Sequence, residues 1–186
     1  MAEYYFDIET YSPGEKINPD TDKIITIQFQ RIDLRTGKPR EELVILKEWE
    51  STEENIIKEF YDKFFSDNQS VWNFIPVGFN LNFEWEFLIS KFEKYLGRRF
   101  TSRELHYDHP HLDIKSIIIL LNDGNFVGAK LDKFTDKSQD GKCIRNFYEA
   151  RQFDKIENYV GEEATSFLEL LQKIMSNIKK LEIKPK

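Results

Sequence analysis

The segment that most constrains the fold is residues 3–9, a run of aromatic and apolar residues that ends in two acids. Such a run predicts a β-strand. Because side chains alternate across a strand, Asp7 and Glu9 lie on the same face. Central strands avoid charge, so the two acids are either a strand end that reaches solvent or a pair of metal ligands. The segment alone leaves both interpretations open.

Residues 23–32 alternate between apolar and polar side chains, which predicts a second strand. The expected apolar face carries Ile25, Ile27 and Phe29, and the other face carries Thr26, Gln28 and Gln30. After a turn at residues 33–40, residues 43–47 form a third predicted strand. These three strands are expected to form an antiparallel meander.

The rest of the chain predicts helices that alternate with strands. A helix is expected to start at Ser51 or Thr52, with Glu53 or Glu54 placed for capping. The later predicted elements are, in chain order, a strand at 71–79, a helix at 82–95, a short strand at 111–114, a loop with short helices at 123–144 and a helix at 153–180. The order β-β-β-α-β-α-β-α predicts an α/β fold, with a mixed five-stranded sheet of three antiparallel then two parallel strands and helices on both faces.

Length and composition narrow the class of protein. A chain of 186 residues suits a single domain spanning 1–186, and one cysteine excludes a disulfide framework or a cysteine-rich zinc ribbon. No stretch approaches the ~18 apolar residues of a membrane span, so we expect a cytoplasmic protein without a membrane partner. The net charge of −6 argues against broad nonspecific coating of nucleic acid. It is compatible with an acidic metal site that meets a phosphodiester.

Two further segments place acids on helices. Asn80 follows the strand that ends at Gly78, and Glu84 falls in the first turn of the next helix, which ordinary helix capping would also explain. Tyr159 and Glu163 are four residues apart on the last helix and therefore share a face. Each segment by itself is weak support for a site.

Together and in this order, the three segments resemble the motifs of the DEDD superfamily of 3′–5′ exonucleases (DnaQ-like, Tyr subtype), which has a ribonuclease H-like fold. The segments that look like the three motifs are Phe6-Asp7-Ile8-Glu9-Thr10, Asn80-x-x-Phe83-Glu84 and Tyr159-x-x-x-Glu163. The local sequence is similar to the proofreading domain of family B DNA polymerases and to stand-alone archaeal relatives. The resemblance covers nearly the whole chain, from Tyr5 to about Ile174.

The resemblance implies an enzyme that uses two divalent ions, Mg²⁺ or Mn²⁺, at single-stranded DNA or RNA 3′ ends. The implied ligands are Asp7, which would bridge the ions, Glu9, Glu84 and Glu163. One ion would generate hydroxide that the Tyr159 hydroxyl orients, and the other would stabilise the leaving 3′ oxygen. The implied contacts to the terminal nucleotide are the backbone of Ile8 to Thr10, Asn80 and Phe83. Whether a polymerase or a repair complex is a partner is left open.

Two positions depart from the family pattern, since Glu84 and Glu163 stand where the family has Asp. Each carboxylate reaches about 1.5 Å further, whereas Mg²⁺ requires near-octahedral geometry at about 2.0–2.1 Å. The alternatives are a site for one metal or for Mn²⁺, and a catalytically weak or inactive module that binds nucleic acid or protein. A ribonuclease H-like endonuclease is a further alternative. Glu86 and Glu162 are neighbouring acids that could substitute only by pointing about 100–200° away on their helices.

The three histidines of the chain lie together as His106, His109 and His111. They could ligate zinc or nickel, but Pro110 and the absence of a further histidine favour a solvated loop that enters a strand. Asp113, at the end of that strand, is a weaker candidate for the rim of the active site.

Overall fold

The computed structural model describes residues 1–67, 69–101, 103–134 and 141–178. Their strands form one mixed sheet with the order β3-β2-β1-β5-β6, in which β4 also pairs with β2. The strands are β1 (Glu3–Tyr11), β2 (Lys23–Asp33), β3 (Lys38–Pro39), β4 (Val44–Lys47), β5 (Ile75–Gly78) and β6 (Leu112–Asp113).

Five α-helices accompany the sheet in the described ranges. They are α1 (Glu53–Phe64), α2 (Asn82–Leu96), α3 (Lys115–Leu121), α4 (Lys142–Glu149) and α5 (Phe153–Ile178). Helix α1 begins after Thr52, whose side chain accepts a hydrogen bond from the Asn55 N–H at 3.1 Å. None of the described helices is long and apolar enough to cross a membrane.

The pairing confirms the predicted α/β sheet. Strand β1 is antiparallel to β2 and parallel to β5, β2 is antiparallel to β4, and β5 is parallel to β6. The short strand β3 is an addition, since it lies within the turn expected at residues 33–40. Strand β5 pairs only with Glu3–Tyr5, the first part of β1. The second part of β1, which carries the two acids, therefore continues past its parallel neighbour.

The two faces of β1 contribute to separate hydrophobic clusters. Phe6 points to the face covered by α1 and α2. Tyr5 points to the opposite face and packs against Phe167 of α5, with ring centroids 5.0 Å apart. Because side chains alternate along a strand, Asp7 and Glu9 are on the same face of β1 as Tyr5, and so they face α5.

A β-bulge interrupts the pairing of β1 with β2. Glu9 is opposite Thr26, but Thr10 is opposite Ile24, so that Ile25 is an extra residue in β2. A bulge of this kind lets two consecutive side chains lie on one face. Ile25 consequently packs in the cluster that α4 and α5 form on the face of the acids.

The bulge corrects one sequence-based assignment. The alternation predicts Ile25 on the same face as Ile27 and Phe29. In the structure Ile27 and Phe29 belong to the cluster under α1 and α2, whereas Ile25 belongs to the cluster on the opposite face. The period of two is broken by one inserted residue, and no composition signal marks it. As a result, Ile25 packs in the same cluster as Tyr159.

Element boundaries differ from expectation in two more places. The strand expected at 71–79 is a 3-10 turn at Val71–Asn73 followed by β5, which is only four residues long. Within 123–144, expected as loop with short helices, the structure has a 3-10 turn at Leu131–Lys133 and the start of α4, which extends beyond the predicted range to Glu149. Residues 135–140 of this range lie outside the described residues. The expected end of the last helix at Lys180 lies outside the described residues.

Candidate metal centre

Three carboxylates from two distant parts of the chain meet on the face of the sheet covered by α5. Asp7 and Glu9 extend from β1, and Glu163 extends from α5. One carboxylate oxygen from each lies within 4.8 Å of the others, and all three side chains are half-buried. In the part of the chain that the structure describes, this is the one group of three or more acidic, histidine or cysteine side chains so arranged. Closely spaced, partly desolvated carboxylates repel one another unless protons or cations intervene.

Hydrogen bonds hold Asp7 in place. Its Oδ1 accepts from the Ile8 backbone N–H at 3.0 Å. Its Oδ2 accepts from the Gln28 side-chain amide at 3.2 Å and from the Tyr5 hydroxyl at 3.3 Å. Gln28 is itself fixed by the Thr26 hydroxyl, which donates to its Oε1 at 2.9 Å. The orientation of Asp7 is therefore set before any cation binds.

Gln28 and Thr26 are supporting residues that the sequence analysis did not assign to the site. Both are completely buried, and they lie opposite Asp7 and Glu9 in the antiparallel pair. In the sequence they read as the ordinary polar face of an alternating strand, which gives no signal of a site. Only the register places them against those acids.

Glu84 lies beside Asp7 at the first turn of α2 and is only 4% exposed. Its Oε2 is buried and has no hydrogen-bond partner among the described residues. Burial, followed by the charge of Asp7, raises the pKa of Glu84 well above its usual range. A buried acceptor without a donor next to a second carboxylate has the chemistry of a cation ligand.

Tyr159 is buried on α5 next to the acidic group, and its side chain is hydrogen-bonded to Glu163. Burial, followed by the charges of Glu9 and Glu163, raises the pKa of its hydroxyl far above the usual value for tyrosine. The hydroxyl is therefore a hydrogen-bond donor at neutral pH. A Cβ on Gly141, just before α4, would lie 3.3 Å from this hydroxyl, so the start of α4 approaches it closely.

The neighbouring acids Glu86 and Glu162 do not belong to the group of three. Both are exposed. Glu162 lines a pocket of about 260 Å³ beside Tyr159, together with Lys155 of the same helix. The helical rotation that separates each acid from its neighbour accounts for this difference.

The turn between β5 and α2 presents Asn80. Its φ of 66° is left-handed, which Asn tolerates better than most residues. Asp113 accepts hydrogen bonds from the Asn80 N–H at 2.9 Å and the Leu81 N–H at 3.0 Å. The Asn80 side-chain oxygen accepts from Lys115 Nζ. Asp113 thus fixes this turn, and its charge contributes to the raised pKa of Glu84.

The remaining residues predicted to contact the nucleotide, Ile8, Thr10 and Phe83, differ in how far their side chains are buried. Ile8 has its side chain in the core at 4% exposure, so only its backbone can face the site. Thr10 is half-buried at the bulge. Phe83 is half-buried and packs against Phe87, with ring centroids 4.9 Å apart. The structure leaves part of the Phe83 ring exposed on the first turn of α2.

The histidines do not form a metal site in the described ranges. Their segment includes a π-helical turn at Glu104–Asp108. The rings of His106 and His111 are 6.1 Å apart, whereas His109 packs against Phe65 at 5.4 Å.

These elements define a mixed α/β fold of the kind found in ribonuclease H-like exonucleases. No protein-family model and no curated protein matches the sequence. Among solved structures, the family B DNA polymerase from the hyperthermophilic archaeon Pyrobaculum calidifontis is similar, with a TM-score of 0.67 and 16% identity. The match covers 94% of this chain and 24% of the polymerase.

A second similar structure is the zinc-bound form of Escherichia coli exonuclease I in complex with single-stranded DNA. The TM-score is 0.53 at 12% identity, over 73% of this chain and 34% of exonuclease I. The chain thus spans about a quarter of the polymerase and a third of the nuclease. At these identities the similarity establishes the fold, and function must be argued from the site.

Proposed function

We propose that this chain is a metal-dependent 3′–5′ exonuclease that hydrolyses phosphodiester bonds at single-stranded nucleic-acid ends, DNA in preference to RNA. The observation that carries the proposal is the convergence of Asp7, Glu9 and Glu163 within 4.8 Å on a sheet of this topology. The similar structures add support, since one is a DNA polymerase and the other holds single-stranded DNA.

The residues present fit a pair of Mg²⁺ or Mn²⁺ ions. The proposed ligands Asp7, Glu9, Glu84 and Glu163 supply only carboxylate oxygens, which are the donors that such hard cations prefer. The unpartnered buried Oε2 of Glu84 is the specific feature that a cation would satisfy. When bound, the ions would supply Lewis acidity and neutralise charge on the phosphodiester.

The proposed mechanism gives each side chain a separate task. Gln28 and Tyr5 hold Asp7 in a fixed orientation. Tyr159 keeps its proton and donates it to Glu163, which fixes the ring, so its hydroxyl oxygen would orient the attacking water by accepting a hydrogen bond. Catalysis in this scheme comes from positioning and from charge stabilisation.

The terminal nucleotide would lie over the end of β1 and the start of α2. The backbone of Ile8–Thr10 would face the sugar, and the exposed part of the Phe83 ring would stack on the base. Asn80 would present its amide NH₂ group, because its oxygen already accepts a hydrogen bond from Lys115.

The presence of Glu at positions 84 and 163 supports an alternative, a module that binds ends without cutting them. In the structure Glu84 is close enough to Asp7 for a hydrogen bond between the two carboxyl groups. This geometry is expected to favour Mn²⁺, which is less demanding than Mg²⁺.

The test uses single-stranded DNA and RNA oligonucleotides labelled at either end, incubated with Mn²⁺ or Mg²⁺. A 3′→5′ exonuclease releases labelled mononucleotide at once from the 3′-labelled strand and produces a ladder from the 5′-labelled strand. Asp7→Asn should reduce the rate by at least 10³-fold, on the order of the loss of one metal ligand in a two-metal site. Glu86→Gln, an exposed neighbour, is the matched control and should keep full activity.

Three outcomes distinguish the candidates. Cleavage of a circular single strand would indicate an endonuclease. Binding of the oligonucleotide without cleavage in any metal would favour the binding module. A protein that neither binds divalent metal nor cuts either polymer contradicts the proposal.

A further inference from the structure

An aromatic cleft lies where β1 ends and α5 begins, and it has no part in the proposed chemistry. It has a volume of about 430 Å³, within the range of roughly 300–1,000 Å³ common for ligand sites. Four half-buried aromatic residues line it, together with Glu149 and Arg151; they are Tyr11, Trp49, Tyr148 and Phe153.

The aromatic rings are held in place by contacts with one another and by a hydrogen bond of the Tyr148 hydroxyl. Trp49 and Phe153 stack with centroids 4.7 Å apart and an interplanar angle of 5°. Tyr11 lies 4.8 Å from Tyr148. The Tyr148 hydroxyl donates to Glu48 at 2.8 Å, in a network that also includes Lys23. Rings fixed in this way lose little freedom when a flat ligand stacks on them.

The charge at the rim is favourable for an anion. Glu149 already accepts hydrogen bonds from Arg145 at 3.1 Å and from the Tyr11 hydroxyl at 3.3 Å. The Arg151 side chain is exposed and makes no hydrogen bond or ion pair with the described residues. In a chain of net charge −6, an unpaired arginine beside an aromatic cleft favours a ligand that is both flat and anionic.

Two elements, β1 and α5, carry residues of both the cleft and the acidic group. Tyr11 follows Glu9 by two residues on β1, a distance of about 7 Å along the strand. Phe153 precedes Tyr159 by six residues on α5, about 9 Å along the helix. These distances correspond to roughly two to three nucleotides at ~3.4 Å each in a stacked strand.

From these observations we propose that the aromatic cleft binds one base of a single-stranded nucleic acid, two or three nucleotides from the end held at the acidic group, with Arg151 on an adjacent phosphate. The inference rests on the proposed function for its choice of ligand. An aromatic cage for a quaternary ammonium group is the competing ligand, and the unpaired positive charge of Arg151 disfavours it.

The test measures binding without chemistry, by the anisotropy of a fluorescent oligo-dT in EDTA. Trp49→Leu should weaken binding about 5- to 100-fold, the effect of losing one base–aromatic stack. Trp49→Phe, which keeps a flat ring, should retain most of the affinity. Trp72→Leu is the matched control, because Trp72 is exposed near the opposite end of β1, where its carbonyl accepts a hydrogen bond from the Ala2 N–H.

A second pair of variants tests the phosphate contact. Arg151→Gln should weaken binding several-fold. It should also reduce the magnitude of the slope of log affinity against log salt concentration by about 1, the contribution of one phosphate contact. Arg35→Gln removes the same charge from the turn after β2, at the far end of the sheet, and should change neither quantity.

Each result decides the matter. Three results would overturn the cleft assignment. The first is wild-type affinity in both Trp49→Leu and Arg151→Gln, and the second is the absence of any oligonucleotide binding. The third is quenching of Trp49 fluorescence by tetramethylammonium but not by oligo-dT. A protein that binds through Trp49 and Arg151 but never cuts would instead overturn the proposed nuclease and leave the cleft intact.

Discussion

The Gln28 side-chain amide donates to Asp7 Oδ2 at 3.2 Å from the position directly opposite Asp7 in the β1–β2 pair. Gln28 is fully buried, and its own oxygen is occupied by the Thr26 hydroxyl. A neutral donor at this place orients a carboxylate without cancelling its charge.

Gln28→Met keeps the side-chain volume but removes the donor to Asp7. Loss of a supporting hydrogen bond of this kind typically lowers metal affinity or activity about 10- to 100-fold, and we expect that loss in Mn²⁺ affinity measured by calorimetry. Gln30→Met is the control, because Gln30 lies on the same strand but bonds to the Glu41 carbonyl. Equal Mn²⁺ affinity for the two variants would show that Asp7 is oriented by other contacts.

Glu163→Gln removes one of three clustered charges. In EDTA we expect the free energy of unfolding to rise by on the order of 1 kcal/mol, the interaction of two unit charges about 4 Å apart in a water-like medium. Added Mn²⁺ should stabilise the wild type by mass action, and this variant much less. Denaturant titrations with and without Mn²⁺ measure both effects. Glu162→Gln, the exposed neighbour, should behave as wild type; identical behaviour of the two variants would remove Glu163 from the cluster.

Lys91 is completely buried on α2, where it pairs with Glu53 at 3.4 Å and donates to the Asp22 carbonyl. Lys91→Met fills the space but removes the buried one of the two lysines that face Glu53. We expect a loss of about 3 kcal/mol in the free energy of unfolding. Lys94→Met removes a half-exposed lysine 3.8 Å from the same Glu53 and should cost less than about 1 kcal/mol. Comparable losses in urea denaturation would contradict the assignment of Lys91 as the structural partner.

Burial lowers the pKa of His109 below the ordinary 6.5. In this case the unfolded chain takes up the proton first as pH falls, so the free energy of unfolding decreases below about pH 6.5 and levels off once folded His109 also protonates. His109→Asn should flatten this part of the stability curve. His106→Asn, in the same segment, should leave it unchanged. A wild-type slope in the His109 variant, measured by thermal unfolding from pH 5 to 7.5, would locate the proton uptake elsewhere.

Local pattern was sufficient for much of the fold. Period-two alternation placed Asp7 and Glu9 on one face, and the four-residue spacing put Tyr159 and Glu163 together on α5. The capping residues located the start of α1 at Ser51 or Thr52, of which Thr52 is the cap in the structure. These features depend on the geometry of single elements. A strand or a helix imposes it on any sequence with the right periodicity.

The tertiary structure decided the features that depend on pairing between distant residues. The register of β2 against β1 brings Gln28 to Asp7, and the bulge in β2 carries Ile25 to the side of Tyr159. The contact of Glu84 with Asp7 depends on how α2 is seated beside β1. Sequence periodicity determines which face a side chain occupies, but only the packed sheet and helices determine what lies opposite it, because register is set by contacts across the whole domain.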